Sequence, residues 1–152
     1  MTWYGQTIPN LAAGGVAGSG VPLPWRQALH MPAAEQVTHL ARLFEALPWS
    51  RLRPMPDLVT DTRGTKASAT SDGGLIVVYA AEGSTVGLQA GSVLRDMLWL
   101  WYDPRSGQTR PATVANGDGV ASFQAPGLAD WILIGSTDRA LMTRLSAESV
   151  AS

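Results

Sequence analysis

The sequence predicts a mainly β protein, an antiparallel β-sandwich of about eight strands preceded by a loop and one amphipathic helix. Three observations point there. Short apolar runs alternate with Gly-, Asn- and Asp-rich turn signals toward the C-terminus, and a single helical stripe stands before them. No helical pattern separates the strands, which removes the crossovers that a parallel sheet needs. The expected division is residues 1–56, loop and helix, and residues 57–152, the β-domain.

Residues 1 to 30 carry Pro9, Gly14-Gly15, Gly18, Gly20, Pro22 and Pro24, a density of breakers that forbids a long helix. Pro32 then suits a first helical position, where its missing N–H costs nothing, and Val37, Leu40, Ala41, Phe44 and Leu47 recur at helical spacing. Glu35, Arg42 and Glu45 occupy much of the other side, and Pro48 ends the helix. One helix cannot bury that stripe alone. Val37, Leu40, Phe44 and Leu47 are therefore the candidate partner interface, for a second domain or for self-association. Trp49, Pro54 and Pro56 predict a stiff, extended connector.

Strands are expected at about Leu58 to Thr62, Lys66 to Thr70, Leu75 to Ala80, Thr85 to Leu88, Met97 to Tyr102, Gln108 to Ala115, Val120 to Phe123 and Trp131 to Ile134. Asp103-Pro104-Arg105-Ser106-Gly107 is the clearest turn between them. Pro104 presets φ at the second position and Gly107 can take the left-handed conformation that closes a bulged hairpin. In Met97-Leu98-Trp99-Leu100-Trp101-Tyr102, alternation puts Met97, Trp99 and Trp101 on one face and Leu98, Leu100 and Tyr102 on the other. Both faces are apolar, so this strand should be central, with its outer face covered by the helix, the connector or a partner.

Charge narrows the functional classes. Eleven Lys and Arg against twelve Asp and Glu leave no basic stripe to track a phosphate backbone, so nucleic acid is an unsuitable ligand. No apolar run approaches the ~20 residues of a membrane span. Met1 to Gly5 lacks the pattern of a signal peptide, and localisation is left unassigned. With no Cys, thiolate metal sites and Cys nucleophiles are excluded, and neither His30 nor His39 has a second His at ligand spacing. No metal or cofactor is expected. Asp72, Glu82, Asp103, Asp118 and Asp130 neighbour Gly, Pro or a strand edge, where such side chains commonly bond their own backbone, and no Gly-x-Ser-x-Gly elbow follows a strand.

Six Trp stand out in a short chain: Trp3, Trp25, Trp49, Trp99, Trp101 and Trp131. Buried, they anchor a core; exposed, they can stack on sugar rings or other flat ligands. The core reading leads for strand residues. The candidate ligand-binding aromatics are Trp3, Tyr4, Trp25, Trp99 and Trp101.

Trp101-Tyr102-Asp103-Pro104-Arg105-Ser106-Gly107, followed by Phe123, Pro126 and Asp130-Trp131-Ile132-Leu133-Ile134, resembles the C-terminal domain of apiosidase-like glycoside hydrolases, which carries a collagen-binding label. Upstream, Tyr4-Gly5, Trp25-Arg26-Gln27-Ala28-Leu29, Leu47-Pro48-Trp49 and Pro56-Asp57 are similar to that family's last barrel segment and connector. The resemblance implies that catalysis belongs to a (β/α)₈ barrel whose acidic residues precede the first residue of this chain. A barrel needs all its strands to close, so a remnant cannot catalyse. The resemblance also places Trp3 and Tyr4 after the final barrel strand, near a sugar site in a complete relative. Two functions are therefore expected: a non-catalytic accessory module partnering a barrel supplied elsewhere, or a module binding polysaccharide or a collagen-like protein through exposed aromatics.

Overall fold

The computed structural model describes residues 32–89, 96–117 and 119–148. Helix α1 (Pro32–Ala46) begins at Pro32 and is followed by a single 3-10 turn at Trp49–Arg51. Nine strands follow in the described residues: β1 (Leu52–Pro54), β2 (Thr65–Thr70), β3 (Leu75–Ala80), β4 (Val86–Gln89), β5 (Leu98–Tyr102), β6 (Thr109–Pro111), β7 (Ala115–Gly117), β8 (Val120–Phe123) and β9 (Trp131–Ser136). Helix α2 (Arg139–Glu148) ends the described chain. One antiparallel sheet has the order β1-β2-β3-β9-β5-β6, and a second has the order β4-β8-β7. The fold is thus mainly β, as expected, with a helix at either end of the described chain.

Three layers result, and strand alternation decides what faces what. Trp131 and Leu133 of β9 face inward with Ile76, Val78 and Ala80 of β3 and Met97 and Trp101 near β5. They meet Val86, Leu88, Ala121 and Phe123 from the smaller sheet, forming the core between the sheets. Ile132, Ile134, Leu75, Leu100 and Tyr102 face outward onto Leu43 and Leu47 of α1 and Leu141, Met142 and Leu145 of α2. Both apolar faces of β5 are accordingly covered over Leu100 to Tyr102, while Leu98 at its start stays 40% exposed. The Tyr102 hydroxyl donates to the His39 carbonyl of α1 at 2.8 Å, fixing helix to strand.

Four elements differ from the expectation. Leu58 to Thr62 is not a strand: Pro56–Leu58 forms a 3-10 turn started by Pro56, Val59 makes one bridge to Leu88, and Asp61 accepts from the Arg63 amide at 2.9 Å, which turns the chain. Gln108 to Ala115 is two strands, because Pro111 offers no further ladder donor; β6 pairs with β5, and the chain then changes sheets to form β7 beside β8. The expected connector supplies β1, whose Leu52 pairs with Thr70. Helix α2 has no counterpart in the expected elements. Asp138 caps it by accepting from the amides of Ala140 (2.9 Å) and Leu141 (3.1 Å).

Candidate functional site

Helix α1 carries a wider apolar arc than the sheet can cover. At 100° per residue, Leu43 and Leu47 point one way, and Val37, Leu40 and Phe44 project from the adjacent flank. Leu43 (2% exposed) and Leu47 (3%) are buried against the sheet, whereas Val37 (47%), Leu40 (38%) and Phe44 (37%) face solvent. Leu47 therefore leaves the candidate interface: it belongs to this chain's own core. The other three stay together as an apolar flank left exposed among the described residues. His39, on the inner side, rests against Gly107, whose φ of +72° is the left-handed turn conformation expected there.

The candidate aromatics divide differently. Trp3, Tyr4 and Trp25 lie outside the described residues. Trp101 is 2% exposed and packs edge-on against Trp131 with ring centroids 6.5 Å apart, so it cannot offer a stacking face and is corrected to a core residue. Trp99 is half-buried; its ring sits 4.7 Å from Phe123 and lies across Gly135, its cross-strand partner. The expectation missed Trp49, which is 61% exposed on the 3-10 turn after α1. Its signal was available, since a Trp between Pro48 and a run of Ser and Arg has no apolar periodicity to carry it inward.

Asp61, Asp72, Asp103, Asp130 and Asp138 each accept from a backbone amide. Asp103 accepts from the Arg105 amide at 2.9 Å and pairs with the Arg105 guanidinium through two bonds of 2.8 Å; partial burial works against its ionisation, but Arg105 outweighs that and keeps its pKa below the usual value. Asp130 accepts from the Tyr79 hydroxyl (2.5 Å) and the Glu82 amide (3.0 Å), which lower its pKa. Partial burial and that same bond push the Tyr79 phenol up to about 12. Arg105 and Arg110 lie 5.6 and 5.5 Å from the centroid of the Trp131 ring, holding one end of the inter-sheet core. No group of three metal-ligating side chains occurs among the described residues.

One cleft, of about 550 Å³, opens where the C-terminal end of α1 meets the β2–β3 turn and the start of α2. Arg51 and Asp72 pair across its wall at 2.6 Å. Asp72 also accepts from Thr70 Oγ1 (2.5 Å) and the Gly74 amide (3.0 Å), and these bonds, with Arg51, hold its carboxyl down at about 2. Arg144 reaches over from α2 to the Ala46 carbonyl at 3.2 Å. No motif announces this cleft, because its walls come from three separated segments of the chain.

Residues 54–135, more than half of the chain, match the family model described as "Putative collagen-binding domain of a collagenase". Among solved structures, the chain is similar to a protein titled "Glycoside hydrolase", at 22% identity and a TM-score of 0.61, over 83% of this chain and 29% of that one. It is also similar to a glycoside hydrolase family 5 protein from Bacteroides vulgatus, at 21% identity and a TM-score of 0.59, over 81% of this chain and 28% of that one. The chain thus spans less than a third of the length of these structures, and the likeness is one of fold. No curated protein matches the chain.

Proposed function

The chain belongs to the family described as "Putative collagen-binding domain of a collagenase", and from that premise we propose that it is a non-catalytic accessory module of an apiosidase-like glycoside hydrolase system, docked on a (β/α)₈ barrel through α1. The observation that carries this reading is the flank of Val37, Leu40 and Phe44, exposed beside the buried Leu43 and Leu47. Full burial of one such side chain contributes about 1.5–3 kcal/mol, so covering three that are already part-buried leaves roughly 2–4 kcal/mol to be gained on docking. The partial coverage of the similar hydrolase structures supports it, since most of each of those chains lies outside the match.

Sedimentation velocity tests the docking face. The chain is expected to self-associate weakly at high concentration, and Val37→Ser, Leu40→Ser and Phe44→Ser together should remove that association without unfolding the protein. A wild-type chain that stays strictly monomeric and binds no apolar-surface dye would count against an orphaned interface.

A second reading is supported by the family description and by Trp49: a module that binds polysaccharide or a collagen-like protein. Burial of Trp101 shifts this reading away from β5 and toward the exposed turn after α1. Titration calorimetry with polysaccharides and with collagen decides it, and an absence of heat with both removes it.

A further inference from the structure

We infer that the cleft between the end of α1, the β2–β3 turn and the start of α2 is a subsite for a neutral sugar unit. This inference rests on the polysaccharide reading above and gives it a place in the fold.

Size and chemistry point to that class. A cleft of about 550 Å³ falls within the range of small-ligand sites. Its charged lining balances, with Arg51 and Arg144 against Asp72 and Asp138. With two guanidiniums against two carboxylates the lining has no net charge to draw in an ion of either sign, and a neutral ligand is the class whose recognition needs none. The lining nonetheless offers directional hydrogen bonds. Arg51 uses Nη2 on Asp72, and Arg144 uses Nη2 on the Ala46 carbonyl. Each guanidinium carries five N–H donors in a planar fork, so donors remain on both. Asp138 commits Oδ1 to the cap of α2, and no described residue donates to its Oδ2.

Guanidinium donors and a carboxylate oxygen lining one cleft suit adjacent hydroxyls, which accept from the one and donate to the other. Pro48 is the exposed apolar side chain of the lining, against which the C–H face of a ring can rest, while Leu47, Leu75 and Leu141 belong to the packed core behind it. Trp49, 61% exposed, stands in sequence between two lining residues, Pro48 and Arg51, without itself lining the cleft.

The test is an NMR titration of the ¹⁵N-labelled chain with neutral pentose and hexose oligosaccharides, with their uronate-bearing counterparts, and with a triple-helical collagen-model peptide. A neutral oligosaccharide is expected to shift the amide signals of Gly74, Thr137 and Asp138. Arg51→Gln and Arg144→Gln, both at the surface, should each weaken binding by about tenfold while core amides such as Phe123 and Leu133 keep their positions. A preference for uronates, or occupation of the cleft by the peptide instead, overturns the ligand class. Sugar binding that shifts other amides and is indifferent to both substitutions overturns the cleft but leaves the polysaccharide reading standing. Silence toward every sugar overturns both.

Discussion

Gly135→Ala should destabilise this protein although alanine is ordinarily the better strand residue. A Cβ placed on Gly135 would stand 2.3, 2.5 and 2.6 Å from three ring carbons of Trp99. Carbon contacts settle at about 3.5–4.0 Å, so the indole must retreat by roughly 1 Å. Retreat is blocked on one side by Phe123, itself fully buried, with its ring centroid 4.7 Å from that of Trp99. Overpacking of this kind costs about 1–3 kcal/mol, and removing a strand glycine returns about 0.5–1 kcal/mol. A net loss of roughly 1–2 kcal/mol is expected. Urea unfolding followed by far-UV circular dichroism should lower the midpoint with an unchanged slope. In a Trp99→Leu background the smaller side chain frees the space, and the same substitution should become neutral or stabilising. Equal losses in both backgrounds, or a gain in the wild type, would refute the argument that Trp99 occupies the room Gly135 leaves.

Neighbouring leucines of α1 should behave oppositely. Leu43→Ala is expected to cost about 2–5 kcal/mol because it empties a fully packed site, whereas Leu40→Ala should stay within about 0.5 kcal/mol in urea unfolding. The Asp72 carboxyl, held at about 2, favours the folded state above the ordinary carboxylate value of ~3.9, and that contribution is lost as pH falls toward 2. Asp72→Asn should therefore flatten the acid limb of the stability profile in that window, and carbon-detected NMR should find its titration midpoint below those of unpaired aspartates. Tyr79, raised to about 12, adds stability that is complete below ~10 and fades as pH rises toward 12. Ultraviolet titration should record the Tyr79 phenol as late, and Asp130→Asn should move it back toward the usual value.

Much of this fold was legible where local chemistry and burial agree. The two-faced apolar pattern of Leu98 to Tyr102 required a strand covered on both sides, and β5 lies between β9 and β6, with core on one face and helices on the other. Asp103 to Gly107 folded as its Pro and Gly demanded. What escaped was set by tertiary context. Pro111 marks where one extended run passes between sheets, a change that strand propensity does not register. Helix α2 had a signal in Asp138 as cap and in Leu141, Met142 and Leu145 at helical spacing, but a short helix after a run of strands is easily taken for one more. For the candidate site, periodicity identified an apolar arc on α1 without dividing it. Only the width of the sheet beneath decides that Leu47 turns inward while Val37, Leu40 and Phe44 remain outside. Trp count likewise could not separate a packed Trp101 from an exposed Trp49.

Hydrogen exchange of the chain, alone and mixed with a (β/α)₈ glycoside hydrolase barrel from the same source, tests the docking claim most directly. The account predicts that the barrel slows exchange across residues 36–45 and that Val37→Ser, Leu40→Ser and Phe44→Ser together abolish that protection. Protection confined to the strands or turns of the sandwich, with α1 exchanging as fast as before, would contradict it.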